Sequence, residues 1–180
     1  MIGMFAWSHS RSYLIDAIDL SLRDFEKIEA RRPVIVAIAA ETPEASGRSA
    51  GSVVKRLIDQ STAFHAISLA TATGSGTASM SPRTIPESSQ RLQGMIATGE
   101  GDRERTKALE QGTSKTGGGW QRLTSTMALA QALGRLSREL SNSYNVTFAR
   151  SGDSRIKELQ VGIMLEGITL RATAAPFGTR

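Results

Sequence analysis

Val34-Ile-Val-Ala-Ile-Ala-Ala40 is apolar at every position and β-branched at four of seven. A strand with one wet face alternates, and this one does not. It therefore predicts a strand covered on both faces, as in a parallel sheet. Pro33 stands before it and stops a helix predicted from Ser12 to Arg32, because the residue preceding proline is pushed out of the α region. In that helix Leu14, Ile18, Leu22, Phe25 and Ile28 fall on one stripe. Asp16 and Asp19 in its opening turns and Arg31 and Arg32 at its end suit the helix dipole.

Beyond the strand, Glu41-Thr-Pro-Glu-Ala-Ser46 reads as a loop at its carboxyl end. A second helix is predicted from about Gly47 to Ser61, burying Ala50, Val53, Val54, Leu57 and Ile58, and a second strand over Ala63–Ala70. Helix, strand, helix, strand in this order gives an α/β fold with a largely parallel sheet. Residues 72–102 are rich in Thr, Ser, Gly, Ala and Pro and are expected to form a long loop, with a helical turn near Gln90–Ile96. A helix follows over Arg103–Gln111, then a turn at Thr116-Gly-Gly-Gly119 and a short strand Trp120–Leu123. The helix predicted over Thr126–Ser143 carries Met127, Ala130, Leu133, Leu136 or Ser137, and Leu140 on one face. Tyr144–Phe148, Ile156–Leu165 and Gly167–Ala174 read as strands, the last two joined as a hairpin at Glu166-Gly167. Residues 1–9 are an irregular start, 10–174 one domain and 175–180 a tail.

Composition narrows the chemistry. The 180 residues include no cysteine and two histidines, which removes disulfides, zinc–thiolate clusters and cysteine nucleophiles. The net charge of +5 is spread without any Lys/Arg run longer than two, so solvated surface is preferred over a nucleic-acid stripe. No stretch approaches the ~18–20 apolar residues of a membrane helix. The opening Met1–Ser8 lacks the basic and hydrophobic regions of a secretory signal. His65, mid-strand between Phe64 and Ala66, reads as a packed histidine, and His9 as a solvated one. The glycines after Lys115 lack the order of a phosphate-binding P-loop. Trp120 is expected to pack its strand against the last helix.

Five segments resemble, in order, the second half of a von Willebrand factor type A domain of the bacterial VWFA-related kind, which ends in an extra β-hairpin. They are Ser10-Arg-Ser-Tyr-Leu-Ile-Asp-Ala-Ile18, Arg32-Pro-Val-Ile-Val-Ala-Ile38, Phe64-His-Ala-Ile-Ser-Leu69, Leu109–Gly119 and Leu136–Phe148. The resemblance implies a doubly wound sheet and an Mg²⁺-dependent adhesion site whose main ligands are Asp-x-Ser-x-Ser. That string is absent from the chain. The family's threonine falls on Ser12, and its aspartate falls on Ala40, with Glu41 one position later. Ser12 and Glu41 are thus vestigial metal candidates, and no cofactor is expected unless an upstream strand supplies Asp-x-Ser-x-Ser. The expected role is a non-catalytic, adhesion-type protein-interaction module, truncated or degenerate. Its partner-binding loop candidates are Ser10, Ser12, Glu41, Thr42 and Glu44. An α/β enzyme using the loop around Glu41 and Glu44 is the alternative, and a basic nucleic-acid binder a weaker one. No signal peptide is read in the chain, while the resemblance implies a secreted or periplasmic setting if the true N-terminus lies upstream. A missing central strand would leave Val34–Ala40 as an apolar edge that invites self-association.

Overall fold

The computed structural model describes residues 11–70 and 89–144, with the single positions 164, 171 and 172. Helix α1 spans Leu14–Lys27 and buries Leu14, Ile15, Ile18 and Leu22, with Phe25 half-buried. It ends five residues before the predicted Arg32, at a left-handed residue. Glu29 has φ 48°, its N–H bonds to the Glu26 carbonyl, and the Ala30 N–H bonds to that of Phe25. These are the two reciprocal bonds of a Schellman ending, built on Glu where glycine is usual. Turning the chain there throws Ile28 out of the predicted stripe into solvent.

Strand β1, Val34–Ala40, has the predicted limits. Helix α2 is shorter than read, Ala50–Asp59, and closes on a second Schellman ending at Ser61, φ 50°. Ala50, Val53, Val54 and Leu57 are buried as expected, whereas Ile58 is exposed. Strand β2 is Ala63–Leu69 and strand β3 is Trp120–Leu123. The sheet order is β1-β2-β3, all parallel, with Ile35 beside Phe64, Ala39 beside Ser68, and Ser68 beside Arg122. Helix α3 runs from Ser89 to Lys115. Residues 89–102, expected to be mostly loop, are therefore helical, while 71–88 lie outside the described residues.

Strands added in sequential order with right-handed crossovers put their connecting helices on one face. Accordingly Leu14, Ile15, Ile18 and Leu22 of α1, Ala50, Val53 and Leu57 of α2, and Ala108 and Leu109 of α3 form one core with Ile35, Ala39, Phe64 and Ala66. Asp19 clamps α1 to α2 behind this core. Its buried carboxylate pairs with Arg23 at 3.1 Å, Arg48 at 3.6 Å and Arg56. After a 3-10 turn at Thr126–Ala128, helix α4, Leu129–Ser141, covers the other face. Its contact side is Leu129 and Ala132 against Ile67, Leu69 and Leu123, with Leu136 and Leu140 facing Val36. Leu133, Leu136 and Leu140 of the predicted stripe line that side, whereas Met127 and Ala130 at its start are exposed. The 3-10 turn rotates the helix relative to a continuous count. α4 leaves β1 wetter than its sequence implies, with Val34 37%, Val36 38% and Ile38 45% exposed.

Trp120 also differs from expectation. It pairs with Ala66, on the side of the three-helix core and away from α4, and its Nε1 donates to Ser68 Oγ at 3.0 Å. Tyr144 is exposed and in no element. The predicted strand after it and the 156–174 hairpin fall outside the described residues, save the isolated positions 164, 171 and 172. Among the described residues no helix is long and apolar enough to cross a membrane.

β3 is held against β2 by a close approach. A Cβ on Gly118 would lie 1.8 Å from the Phe64 carbonyl oxygen. Beside it, buried Thr116 Oγ1 accepts from Phe64 N at 3.0 Å and donates to the Gly112 carbonyl at 2.7 Å. Gly118→Ala is expected to lower unfolding free energy by roughly 3 kcal/mol, since backbone must move to admit the methyl. Gly51→Ala, in α2 with nothing within 4 Å, is expected to raise it by about 0.5–1 kcal/mol. Urea titrations of both variants measure the contrast.

Candidate functional site

In open parallel α/β sheets, ligands meet the loops beyond the carboxyl ends of the strands. Here that end carries two connected groups of polar side chains. The first surrounds the loop after β1. Glu44 is 5% exposed, and its carboxylate lies at the start of α1. Oε2 accepts from Leu14 N at 3.4 Å, and Oε1 accepts from Ser46 N at 3.2 Å and from the Ser46 hydroxyl. Ser46 Oγ in turn accepts from Asp16 N at 3.1 Å, and the Asp16 carboxylate accepts from Gly47 N and Arg48 N. Unpaired amides and the positive end of the helix dipole make this a favourable seat for a carboxylate.

Helix α3 closes the loop from the other side. Asp102 accepts from Glu44 N at 3.2 Å, and Glu104 accepts from Ala50 N at 2.6 Å, serving the first turn of α2. Arg105, 6% exposed, donates from Nη1 to the Thr42 carbonyl at 3.0 Å and from Nη2 to the Ala40 carbonyl at 2.9 Å. Gly101 is required here, because a Cβ would stand 2.3 Å from the Glu44 carbonyl oxygen. The loop backbone is thus fixed by side chains from α1 and α3, while Pro43, Gly47, Arg48 and Ser49 remain exposed.

The second group crosses the ends of the three strands. Glu41 Oε2 pairs with Arg122 at 2.5 Å, and its Oε1 accepts from the Ser68 hydroxyl at 3.3 Å. With Trp120 on Ser68, this links β1, β2 and β3 in one row: Glu41, Arg122, Ser68 and Trp120.

The sequence candidates take up the following positions. Ser10 lies outside the described residues. Ser12 is buried and forms a parallel bridge to Glu44, its N–H bonded to the Pro43 carbonyl and its carbonyl to Ala45 N, both at 2.7 Å. Its Oγ has no hydrogen-bond partner among the described residues. Thr42 and Glu41 are half-buried, and Glu44 is the buried centre of the loop. Glu44 is tied to Ser12's backbone segment, whereas Glu41 engages β2 and β3. Asp16 was read only as an acid suiting the α1 dipole, and Ser46, Asp102, Glu104, Arg105 and Arg122 were not singled out in the sequence. Each acts on a partner at least 30 positions away, which leaves no local spacing to read.

The Mg²⁺ that the family resemblance implies can be tested against these side chains. Mg²⁺ demands oxygen ligands in tight octahedral order. The position of the family aspartate is Ala40, whose carbonyl accepts from the Arg105 guanidinium. Glu41 is committed to Arg122 and Ser68, and among the described residues no three His, Asp or Glu side chains converge as a metal-binding group. The described residues do not fit that ion.

His65 stands apart from both groups. It pairs with Val36 on the α4 face, opposite Ser68, and is 5% exposed. Burial lowers its pKa below the ordinary 6.5. The Glu139 carboxylate opposes that shift and Arg171 reinforces it. This is a packed histidine, as read from its place in the strand.

Two measurements separate structural from chemical roles. Glu44→Ala is expected to cost about 2 kcal/mol, the price of orphaned buried amides and a lost helix cap; Glu44→Gln, which keeps an acceptor, should lose less. A general base would show the reverse, with unchanged melting and lost turnover. For His65 the unfolded chain binds the proton more readily than the folded one. Its share of stability is complete above pH 6.5 and declines as pH falls from 6.5 through the lower folded pKa. His65→Leu should flatten the acid-side slope of melting temperature against pH.

Set beside known proteins, the chain matches no family model, no curated protein and no solved structure.

Proposed function

We propose that the chain is a non-catalytic protein-interaction module of degenerate von Willebrand A type, engaging its partner at the carboxyl-end rim without a metal ion. The observation that supports this most is the fixation of the 41–49 loop. Six side chains, Asp16, Glu44, Ser46, Asp102, Glu104 and Arg105, bond to backbone amides or carbonyls of this loop and its neighbouring helix starts. Groups so committed hold a surface in shape. A preformed rim binds with little ordering cost, which is what an interaction surface requires. Pro43, Gly47, Arg48 and Ser49 are the exposed positions it presents, beside the Glu41–Arg122 pair.

A photo-crosslinking amino acid at Pro43 or Arg48 is expected to capture one defined protein from the source cell, with EDTA making no difference. The same group at Asp59, at the far end of α2, is expected to capture none. Arg122→Ala should reduce capture at least about fivefold, in keeping with a 1 kcal/mol rim contact. Equal capture from all sites, capture abolished by EDTA, or a hydrolytic turnover lost in Glu41→Gln would each overturn the reading.

A further inference from the structure

Helix α4 is the least embedded of α1 to α4. Of its 13 residues only Ala132 is buried, with Leu129, Leu136 and Leu140 half-buried. Each helix on the opposite face buries at least four side chains. An element with so few buried apolar contacts opens at a fraction of the free energy that unfolds the core. Its amino-terminal attachment can act as a hinge. The 3-10 turn Thr126–Ala128 has no buried residue, and Met127 is 90% exposed. The turn is shaped by local bonds to Ser125, from Met127 N to its Oγ and from Ala128 N to its carbonyl, both at 3.2 Å. At the other end α4 is tied by exposed polar contacts, Arg32 to Ser143 Oγ at 3.2 Å and Arg171 to Glu139 at 2.9 Å.

The three strands place no charged side chain on the face beneath α4, and one group that titrates near neutrality, His65. Its imidazole is buried, and Val36, its neighbour in the register, lines the groove with Leu133, Leu136 and Leu140. Burial is the largest influence against its charged form, Glu139 opposes that influence, and Arg171 reinforces it. Because Glu139 and Arg171 pair with each other, their fields at His65 largely offset and burial decides. The other charged residues of α4, Arg135 and Arg138, are exposed, and Arg138 Nε donates to the Gly134 carbonyl at 3.3 Å. Lifting α4 returns the imidazole to water, where its charge is solvated. A proton therefore binds the lifted state more tightly and shifts the population towards it.

We propose that α4 is a hinged cover that lifts from the sheet when His65 takes up a proton, exposing Ile67, Leu69 and Leu123 while the three-helix side stays folded. A histidine is suited to this because its charge changes in mild acid. The inference draws on the opposite face from the helices that fix the rim, and stands whether or not the rim binds a protein.

Amide exchange on the full 180-residue chain tests it, read as protection factors so that the intrinsic slowing of exchange in acid is removed. A 13-residue helix freed from its sheet is marginal in water, so lifting is read in its own amides. Between pH 7.5 and pH 5.0 the protection of Leu133, Leu136 and Leu140 is expected to fall by up to about thirtyfold, the bound set by an imidazole that titrates at 6.5 when free. Val53, Val54 and Leu57 of α2 should keep theirs. His65→Gln should leave α4 protection level across the range. Protection lost together from α4 and α2 would signal global unfolding and overturn the proposal. A pH-independent α4, or a fall that persists in His65→Gln, would do the same. Where that variant does not fold, the unaltered chain decides by its two imidazole resonances: one must titrate below 6.5, and both at or above that value overturn the proposal.

Discussion

A buried carboxylate at the head of a helix organises this molecule. Glu44 sits between α1 and α3 with its oxygens on the amides of Leu14 and Ser46, and its own amide on Asp102. Removing a carboxylate from water is costly, and the cost is met only when amides and a helix dipole replace the lost solvation. That requirement fixes where α1 begins, how closely α3 approaches through Gly101, and the shape of the chain between β1 and α2. The Asp19 clamp performs the same task at a different level of the α1–α2 contact, with guanidinium groups in place of amides.

How far the sequence revealed this varies with the range of the interaction. β1 was legible to the residue, because a continuous apolar run before a proline has one economical reading. β2 was read from its largely apolar run, and β3 only as a short segment after the glycine turn. The ends of α1 and α2 were not legible. Their terminal left-handed residues are Glu29 and Ser61, and the expected punctuation is glycine. The amino-terminal half of α3 was hidden by a Ser- and Gly-rich composition that normally disfavours helix. The contact side of α4 was legible from Leu133 to Leu140 and misjudged at Met127 and Ala130, in and just after the 3-10 segment. At the rim, Glu44 could be noticed as a loop acid at a strand's carboxyl end. The residues that give it meaning come from α1 and α3 and are joined to it only by folding.

The functional reading and the edge of β1 are two aspects of one geometry. The rim draws its rigidity from α1, α2 and α3, all on one side of the sheet. Among the described residues the opposite face is covered by α4, and less completely toward β1, where Val36 lies in an apolar groove with Leu133, Leu136 and Leu140. Order is therefore concentrated where the exposed loop residues sit. The more thinly covered side holds His65 and the aliphatic flank of β1.

The all-parallel order of the strands has a kinetic consequence. Antiparallel neighbours can zip from a two-residue turn, but every pairing in this sheet spans a crossover, and β2 meets β3 only after about fifty residues of intervening chain. No hairpin is available as a local nucleus within the described sheet. Loop closure must be paid for before any ladder forms, so the β1–α2–β2 unit, with the shortest crossover, is the natural first structure. The helix-to-strand turn within it, at Ser61, and the one that leads into it, at Glu29, form from contacts within six residues, and they aim the chain into each strand before its partner arrives.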